Sequence, residues 1–233
     1  MKTGNVDLAS LRLDRDGAEL WAGALDARPV EALRAIAPAP DDGRPGSRLT
    51  GNNGLAEHLS PQSAIGRIAA AALGPLARPV RAVMFDKTPA ANWAVAWHQD
   101  RTIAVRERLD IGGFGPWSRK GGAVHVAPPV SVLERMVTLR AHLDACGDDN
   151  APLQVALGSH RLGLVPADQA GTQARARESA TCLASVGDVW AYRTLILHAS
   201  DKATRPVRRR VLQVDFAAFD LPAGLVWSGI EGL

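Results

Sequence analysis

His98 and Asp100, two positions apart, put an imidazole and a carboxylate within one short stretch of this chain. They close the stretch Trp93–Asp100, WAVAWHQD, which reads as a short strand of alternating small and large residues. Successive side chains on a strand point to opposite faces, so His-x-Asp presents an imidazole and a carboxylate side by side. That pair suits a first-row metal of intermediate hardness. One more histidine would complete the two-His-one-carboxylate facial triad of non-haem Fe(II) oxygenases. The pattern occurs twice, because His142-Leu143-Asp144 repeats it, and pattern alone leaves both copies open.

The second half of the chain supplies further groups. GDVWAYRTLILHAS reads as turn, strand, short turn and strand, with His198 near the end of a strand Leu195–His198 and Ser200 two residues on. In the strand Arg209–Phe219, alternation puts Arg209, Val211, Gln213 and Asp215 on one face and Arg210, Leu212, Val214 and Phe216 on the other. The apolar face should pack outward against helices, and the polar face should line an interior. An interior arginine needs an anion, because an unpaired buried guanidinium is costly. A dicarboxylate would meet that need through a bidentate pair. Taken by themselves, Arg205, Arg208, Arg209 and Arg210 also read as a solvated basic edge.

These groups need a scaffold. A helical pattern runs over residues 17–36, interrupted at Pro29. A second helix is signalled by Ser60 as N-cap, Pro61 in the first turn and Gly74 as stop. From Pro79 the period becomes alternating. Strands are expected at Arg81–Asp86, Trp93–His98, Thr102–Arg106, Met136–Leu143, Leu153–Leu157, Thr181–Ser185, Val189–Tyr192, Leu195–His198 and Arg209–Phe219, with helical interruptions near Val130–Arg135 and Asp168–Glu178. Many short strands after an N-terminal helical cap indicate a mainly β fold with helical cover, a jelly roll or barrel. There is no βαβ rhythm, and GGFGPW at 112–117 lacks the strand–helix context of a nucleotide loop.

Composition sets the limits. The 233 residues carry no Pro/Ser/Gly-rich linker and are expected to form one domain over 1–233, with 1–78 mostly helical cover and 79–219 the core. Hydrophobic content of 46% with 22% charged residues fits a globular protein, and a formal charge of +3 argues for neither nucleic acid nor membrane as partner. No apolar run is long enough to span a bilayer, and two cysteines make no disulfide framework. A small-molecule partner and a cytoplasmic setting are expected. The oligomeric state is not legible.

Three segments in order, FDKTP…WHQD, then LRAHLDAC…NAPLQVALGSHRLG, then GDVW…LILHASDKATRPVRRR, resemble the phytanoyl-CoA dioxygenase (PhyH-like) family, which includes ectoine hydroxylase. The likeness covers residues 80–219 and leaves out the helical N-terminus and the insert between Thr102 and Met136. It implies a double-stranded β-helix (jelly roll, cupin-like) with N-terminal helices, and Fe(II), 2-oxoglutarate and O2 as metal, cosubstrate and oxidant. Carried over, His98, Asp100 and His198 match the iron ligands, and Ser200 and Arg209 the groups that hold the far carboxylate of 2-oxoglutarate. Lys87 matches a lysine near the cosubstrate. His142-Leu143-Asp144 falls on a downstream strand of the family, not on its iron motif. Two departures stand out: Asn150-Ala151 where the family often has Asn-Gly, and Arg140 where some members carry an aromatic residue.

The implied reaction couples oxidative decarboxylation of 2-oxoglutarate, giving succinate and CO2, to hydroxylation of an aliphatic C–H in a small molecule or acyl-type metabolite. Halogenating relatives lack the carboxylate ligand, so Asp100 favours hydroxylation. Arg101, next to that carboxylate, and Trp117, in the insert, are candidate substrate contacts. Trp97 should face outward, Tyr192 belongs to the core, and His160 is a turn residue. His58 and His125 are expected in loops, His125 within reach of substrate. Two other classes remain open: a cupin-like metalloprotein of another reaction class, and a non-catalytic ligand-sensing jelly roll.

Overall fold

The computed structural model describes residues 6–37, 46–50 and 54–233. A single helical turn α1 (Leu13–Asp16) leads into strand β1 (Ala18–Trp21). Helix α2 (Ala27–Ala35), the short strand β2 (Ser47–Arg48) and helices α3 (Leu55–Leu59) and α4 (Ala64–Leu73) follow. The strands β3 (Arg78–Lys87), β4 (Val95–His98), β5 (Ile103–Val105), β6 (Trp117–Lys120) and β7 (Ala123–Val126) come next, then helix α5 (Val130–Leu133). The chain continues through β8 (Val137–His142), β9 (Leu153–Ala156), helix α6 (Ala170–Arg175), β10 (Ser179–Cys182), β11 (Val189–Arg193), β12 (His198–Ser200) and β13 (Arg209–Ala217).

All pairings between these strands are antiparallel. One sheet has the order β1-β11-β8-β13-β3-β2, a second β10-β9-β12-β4, and β5-β7-β6 form a third built from the insert. The first two face each other as the halves of a jelly roll. β13 behaves as its alternation predicts. Leu212, Val214 and Phe216 are fully buried with Leu33, Leu55, Leu59, Ile65 and Ile68 of the covering helices, each large side chain contributing about 1.5–3 kcal/mol. Arg209, Gln213 and Asp215 turn into the space between the sheets, where Trp190 and Tyr192 of β11 fill one end with Leu153, Val155 and Ile196. Trp97 faces outward, against the cluster that includes Ala170 and Ala174 of α6. No helix among the described residues is long and apolar enough to cross a membrane.

Several local expectations are corrected. Residues 17–36 are not one helix: Ala18–Trp21 pairs with β11 as an edge strand, and Pro29 sits in the first turn of α2, where its missing N–H has no helical partner to lose. Ser63, not Ser60, caps α4, its Oγ accepting from Gly66 N at 2.9 Å, while Ser60 ends α3. His198 begins its strand, because the chain turns at Thr194–Leu195. His58 lies on α3, and His125 on β7 with its side chain buried.

Gly66 generates a stability test. Alanine in a helix interior ordinarily gains about 1 kcal/mol over glycine, but a Cβ here would stand 1.9 Å from the Ser60 carbonyl oxygen. Gly66→Ala should therefore cost about 1–3 kcal/mol in urea unfolding, as overpacking does. A stabilised variant would mean that α4 does not seat against the Ser60 turn as described.

Candidate active site

β4 and β12 pair with His98 opposite His198. The register puts two imidazoles together, ring centroids 4.2 Å apart and planes tilted by 56°. Both rings are oriented by the same device. His98 Nδ1 lies 2.8 Å from the Ala96 carbonyl and His198 Nδ1 3.0 Å from that of Ile196, two residues back in each case. With Nδ1–H donated there, Nε2 keeps its lone pair for a metal. Burial, and next the adjacent His98, push His198 down to about 4, so it is a neutral base at physiological pH.

Asp100 lies just past the end of β4. The residue between the pair, Gln99, points the other way and is buried. Its amide donates to the Gly163 and Leu195 carbonyls at 2.9 and 2.7 Å and accepts from Val165 N–H at 2.8 Å. This anchors the backbone that carries the carboxylate. On its other side Asp100 Oδ2 faces Arg81 Nη2 at 3.8 Å and Gln213 Nε2 at 3.4 Å. Arg81 is itself held by Asp215 at 2.5 Å, and Asp215 accepts from Thr138 at 3.0 Å. Burial pushes the Asp100 carboxyl up, but Arg81, His198 and His98 together bring it below the ordinary range, and it stays ionised. Ligand-type atoms of His98, Asp100 and His198 all lie within 4.8 Å of one another, the only such group among the described residues. Two imidazoles and one carboxylate suit ferrous iron.

In the second His-x-Asp the carboxylate is already paired. Asp144 takes Arg210 Nε and Nη2 at 2.8 and 2.9 Å and Arg34 at 3.0 Å, so its carboxylate is already committed. Arg208 likewise pairs with Asp86 at 2.8 Å. The basic run divides as alternation requires, with Arg209 alone turned inward.

The triad opens onto a cavity of about 510 Å³ that also receives Lys87, Ser200 and Arg209. Arg209 donates to carbonyls, those of Ala151 and, at 3.3 Å, Asn150, and its buried Nε has no partner. Ser200 Oγ donates to the Ala151 carbonyl at 3.1 Å, and Lys87 Nζ donates to the Trp93 carbonyl at 2.6 Å. Ala151 stands where the family often has glycine, and it adopts φ +54°, a conformation costing about 1–2 kcal/mol outside glycine. Its carbonyl is shared by Arg209 and Ser200, so the strained residue orients both groups. Three cations, Lys87, Arg140 and Arg209, face one carboxylate, Asp100. With two buried guanidinium nitrogens open, the lining suits a dicarboxylate.

Neither candidate substrate contact reaches this cavity. Arg101 donates to the Val165 carbonyl. Trp117 lies on β6, packed in the cluster of the insert sheet with Arg108 over its ring at 5.7 Å. Sequence reasoning missed Arg81, Gln99 and Tyr192, whose hydroxyl donates to Gln213 Oε1 at 3.3 Å and whose ring centroid is 5.6 Å from that of His198. The charge of Arg81, set among the apolar residues of 79–85, was the one available signal.

A sequence model of the family described as phytanoyl-CoA dioxygenase (PhyH) matches residues 13–211. The chain belongs to the phytanoyl-CoA dioxygenase family. Its enzymes depend on iron, 2-oxoglutarate and dioxygen, and the metal-competent group and the anion-seeking cavity both fit that set. Among solved structures the chain is similar to AviO1 from Streptomyces viridochromogenes Tue57, at 20% identity and TM-score 0.61 over 95% of this chain and 98% of that one. It is also similar to SnoN, an epimerase solved with Fe3+, alpha-ketoglutarate and nogalamycin RO, at 18% identity and TM-score 0.60 over 93% and 90%. HygX from Streptomyces hygroscopicus, solved with nickel, 2-oxoglutarate and hygromycin B, is 12% identical with TM-score 0.61 over 89% and 86%. At these identities the likeness shows a shared fold. No curated protein matches the chain.

Within the phytanoyl-CoA dioxygenase fold, the two His-x-Asp copies are separable by mutation. His98→Ala, Asp100→Ala and His198→Ala should each abolish or strongly reduce ferrous binding, and His142→Ala should not. Anaerobic titration with Fe(II) and 2-oxoglutarate, followed by the visible charge-transfer band, reports it. A band lost in His142→Ala but kept in His98→Ala would reverse the assignment.

Proposed function

We propose that this chain hydroxylates an aliphatic C–H of a small molecule or acyl-type metabolite as an Fe(II)/2-oxoglutarate-dependent dioxygenase, with release of succinate and CO2. One observation carries the reading: the His98–Asp100–His198 group shares a single cavity with Arg209, Ser200 and Lys87. His98, Asp100 and His198 would hold the metal, the two histidines through the Nε2 left free by their Nδ1 contacts. When bound, iron with 2-oxoglutarate and O2 supplies the oxidising chemistry. Arg209 offers its open Nε–H to the far carboxylate of the keto acid, Ser200 its hydroxyl, and Lys87 a second positive charge. Asp100, kept ionised and braced by Arg81, occupies the ligand position that halogenating enzymes leave vacant, and this favours hydroxylation. A reducing cytoplasm suits both ferrous iron and the two buried free thiols.

Succinate formation coupled to a product heavier by one oxygen atom tests the reaction class. Succinate with a mass-neutral product would replace hydroxylation by another outcome, such as the epimerisation named for SnoN.

The cosubstrate assignment rests most on Arg209. Arg209→Ala should weaken 2-oxoglutarate binding by about 2–5 kcal/mol, the scale of a lost charge-assisted pair, while Mn(II) affinity without cosubstrate stays the same. Arg208→Ala, on the opposite face, should leave both intact. Calorimetry with Mn(II) in place of iron prevents turnover. Equal losses in the two variants would indicate a diffuse basic surface.

Lys87 adds a pH dependence. Burial, then Arg209 and Arg140, hold its ammonium down to about 8. A bound dianion restores the charged form, so the pKa is higher in the complex. Below about pH 8 the ammonium is protonated with or without ligand, and affinity is flat in pH. Above it, the free protein loses a proton that the complex retains, so affinity falls as pH rises. Titrations at about pH 9 in buffers of different ionisation heat should show proton uptake on binding, and Lys87→Met should abolish it. Affinity that rose with pH would contradict the placement of Lys87.

A further inference from the structure

Arg140 is a buried cation of the cavity that the reading above leaves unused. It stands on β8 with its side chain turned inward, 7% exposed. Nη1 donates to Gln213 Oε1 at 2.7 Å, and the amide of that glutamine donates onward to Asp100 Oδ2 at 3.4 Å. The guanidinium therefore sits one side chain from the carboxylate of the metal group. Phe85 covers it, the ring centroid 5.2 Å from Cζ. Its Nε is buried without a partner, and Arg140 makes none of the ion pairs found among the described residues. Asp100 cannot serve as its private counter-ion, since Arg81 and the metal position already draw on that charge.

Position along the strands separates Arg140 from the other cations. Arg209 lies opposite Lys87, whereas Arg140 lies opposite Gln213, two inward-facing positions further along β13, where the Gln213 amide reaches Asp100 of the metal group. A keto acid stretched from the metal group toward Arg209 has one acid end at each of these levels. We propose that Arg140 binds the metal-proximal carboxylate of the 2-oxo acid, so that the cavity recognises both acid ends, Arg209 the far one and Arg140 the near one. The proposal rests on the 2-oxoglutarate reading of the site. An open guanidinium N–H meeting a carboxylate also relieves the cost of an unpaired buried charge.

The test uses the Mn(II)-loaded protein and two probes in calorimetric titration: 2-oxoglutarate, and 2-oxovalerate, which carries a methyl in place of the far carboxylate. Arg140→Met should weaken both probes by the same factor, roughly ten- to a hundredfold, the scale of a hydrogen bond to a charged group. Arg209→Ala should weaken 2-oxoglutarate and leave 2-oxovalerate unchanged. Mn(II) affinity measured without keto acid should not move in Arg140→Met, which a purely structural role through Gln213 and Asp100 would not predict. If Arg140→Met does not fold, Arg140→Lys takes its place, with a smaller loss shared equally by the two probes. A loss confined to 2-oxoglutarate would put Arg140 at the far end, an unchanged affinity for both would assign it to another ligand, and a weakened Mn(II) site would make it a brace for Asp100. Each of these overturns the proposal while leaving the 2-oxoglutarate reading in place. A wild-type protein that binds neither probe overturns that reading as well.

Discussion

The site depends on one register. β4 and β12 must pair so that His98 meets His198, because a slip of one residue would turn one imidazole to the outer face, toward the side of the sheet covered by α6. The surroundings resist that slip. Trp97 and Leu197, the residues next to the two histidines, pack together on the outer face, and Gln99 ties the end of β4 to the loops that carry Leu195 and Val165. The inner pair is thus held in place partly from outside, by apolar packing and a buried amide.

The second constraint is charge. The interior face of the larger sheet carries Arg81, Lys87, Arg140 and Arg209 against Asp100 and Asp215. Asp215 and Arg81 satisfy each other, with Thr138 donating to Asp215, and Arg81 also faces Asp100 at 3.8 Å. The remaining cations are solvated mainly by carbonyl and amide oxygens. Neutral oxygens make the cations tolerable without cancelling them, and the cavity keeps a positive field. Such a field suits a dianionic keto acid. Ala151, in a left-handed conformation, shows that some backbone strain is accepted to aim one carbonyl at both Arg209 and Ser200.

The division of labour follows from these two constraints. The smaller sheet presents two imidazoles, pre-set by backbone carbonyls, and the larger sheet presents the inward-facing cations. A ligand that bridges metal and arginine spans the gap between the sheets. The insert sheet β5-β7-β6 packs in a separate cluster with the C-terminal segment, around Trp227, and leaves this cavity to the two main sheets.

Much of this was legible in residue order. Alternation in β13 separated Arg209, Gln213 and Asp215 from Leu212, Val214 and Phe216, and turn residues between short alternating runs indicated a jelly roll, because period and punctuation are local properties of the chain. Motif order, by resemblance to a family, singled out His98, Asp100 and His198. Other features depend on contacts between residues far apart in sequence. His142-Asp144 and His98-Asp100 are equivalent as text, and they differ only because Arg34 and Arg210 reach Asp144 whereas His198 reaches His98. Arg101 and Trp117 looked well placed by adjacency, but the backbone sends both away from the cavity. Ala18–Trp21 has a helical pattern and becomes a strand because β11 offers an open edge. Residue pattern alone establishes which faces are apolar and which residues could ligate. Which charges meet follows from folding in three dimensions, since ion pairing and coordination are set by distances in space, which spacing along the chain does not encode.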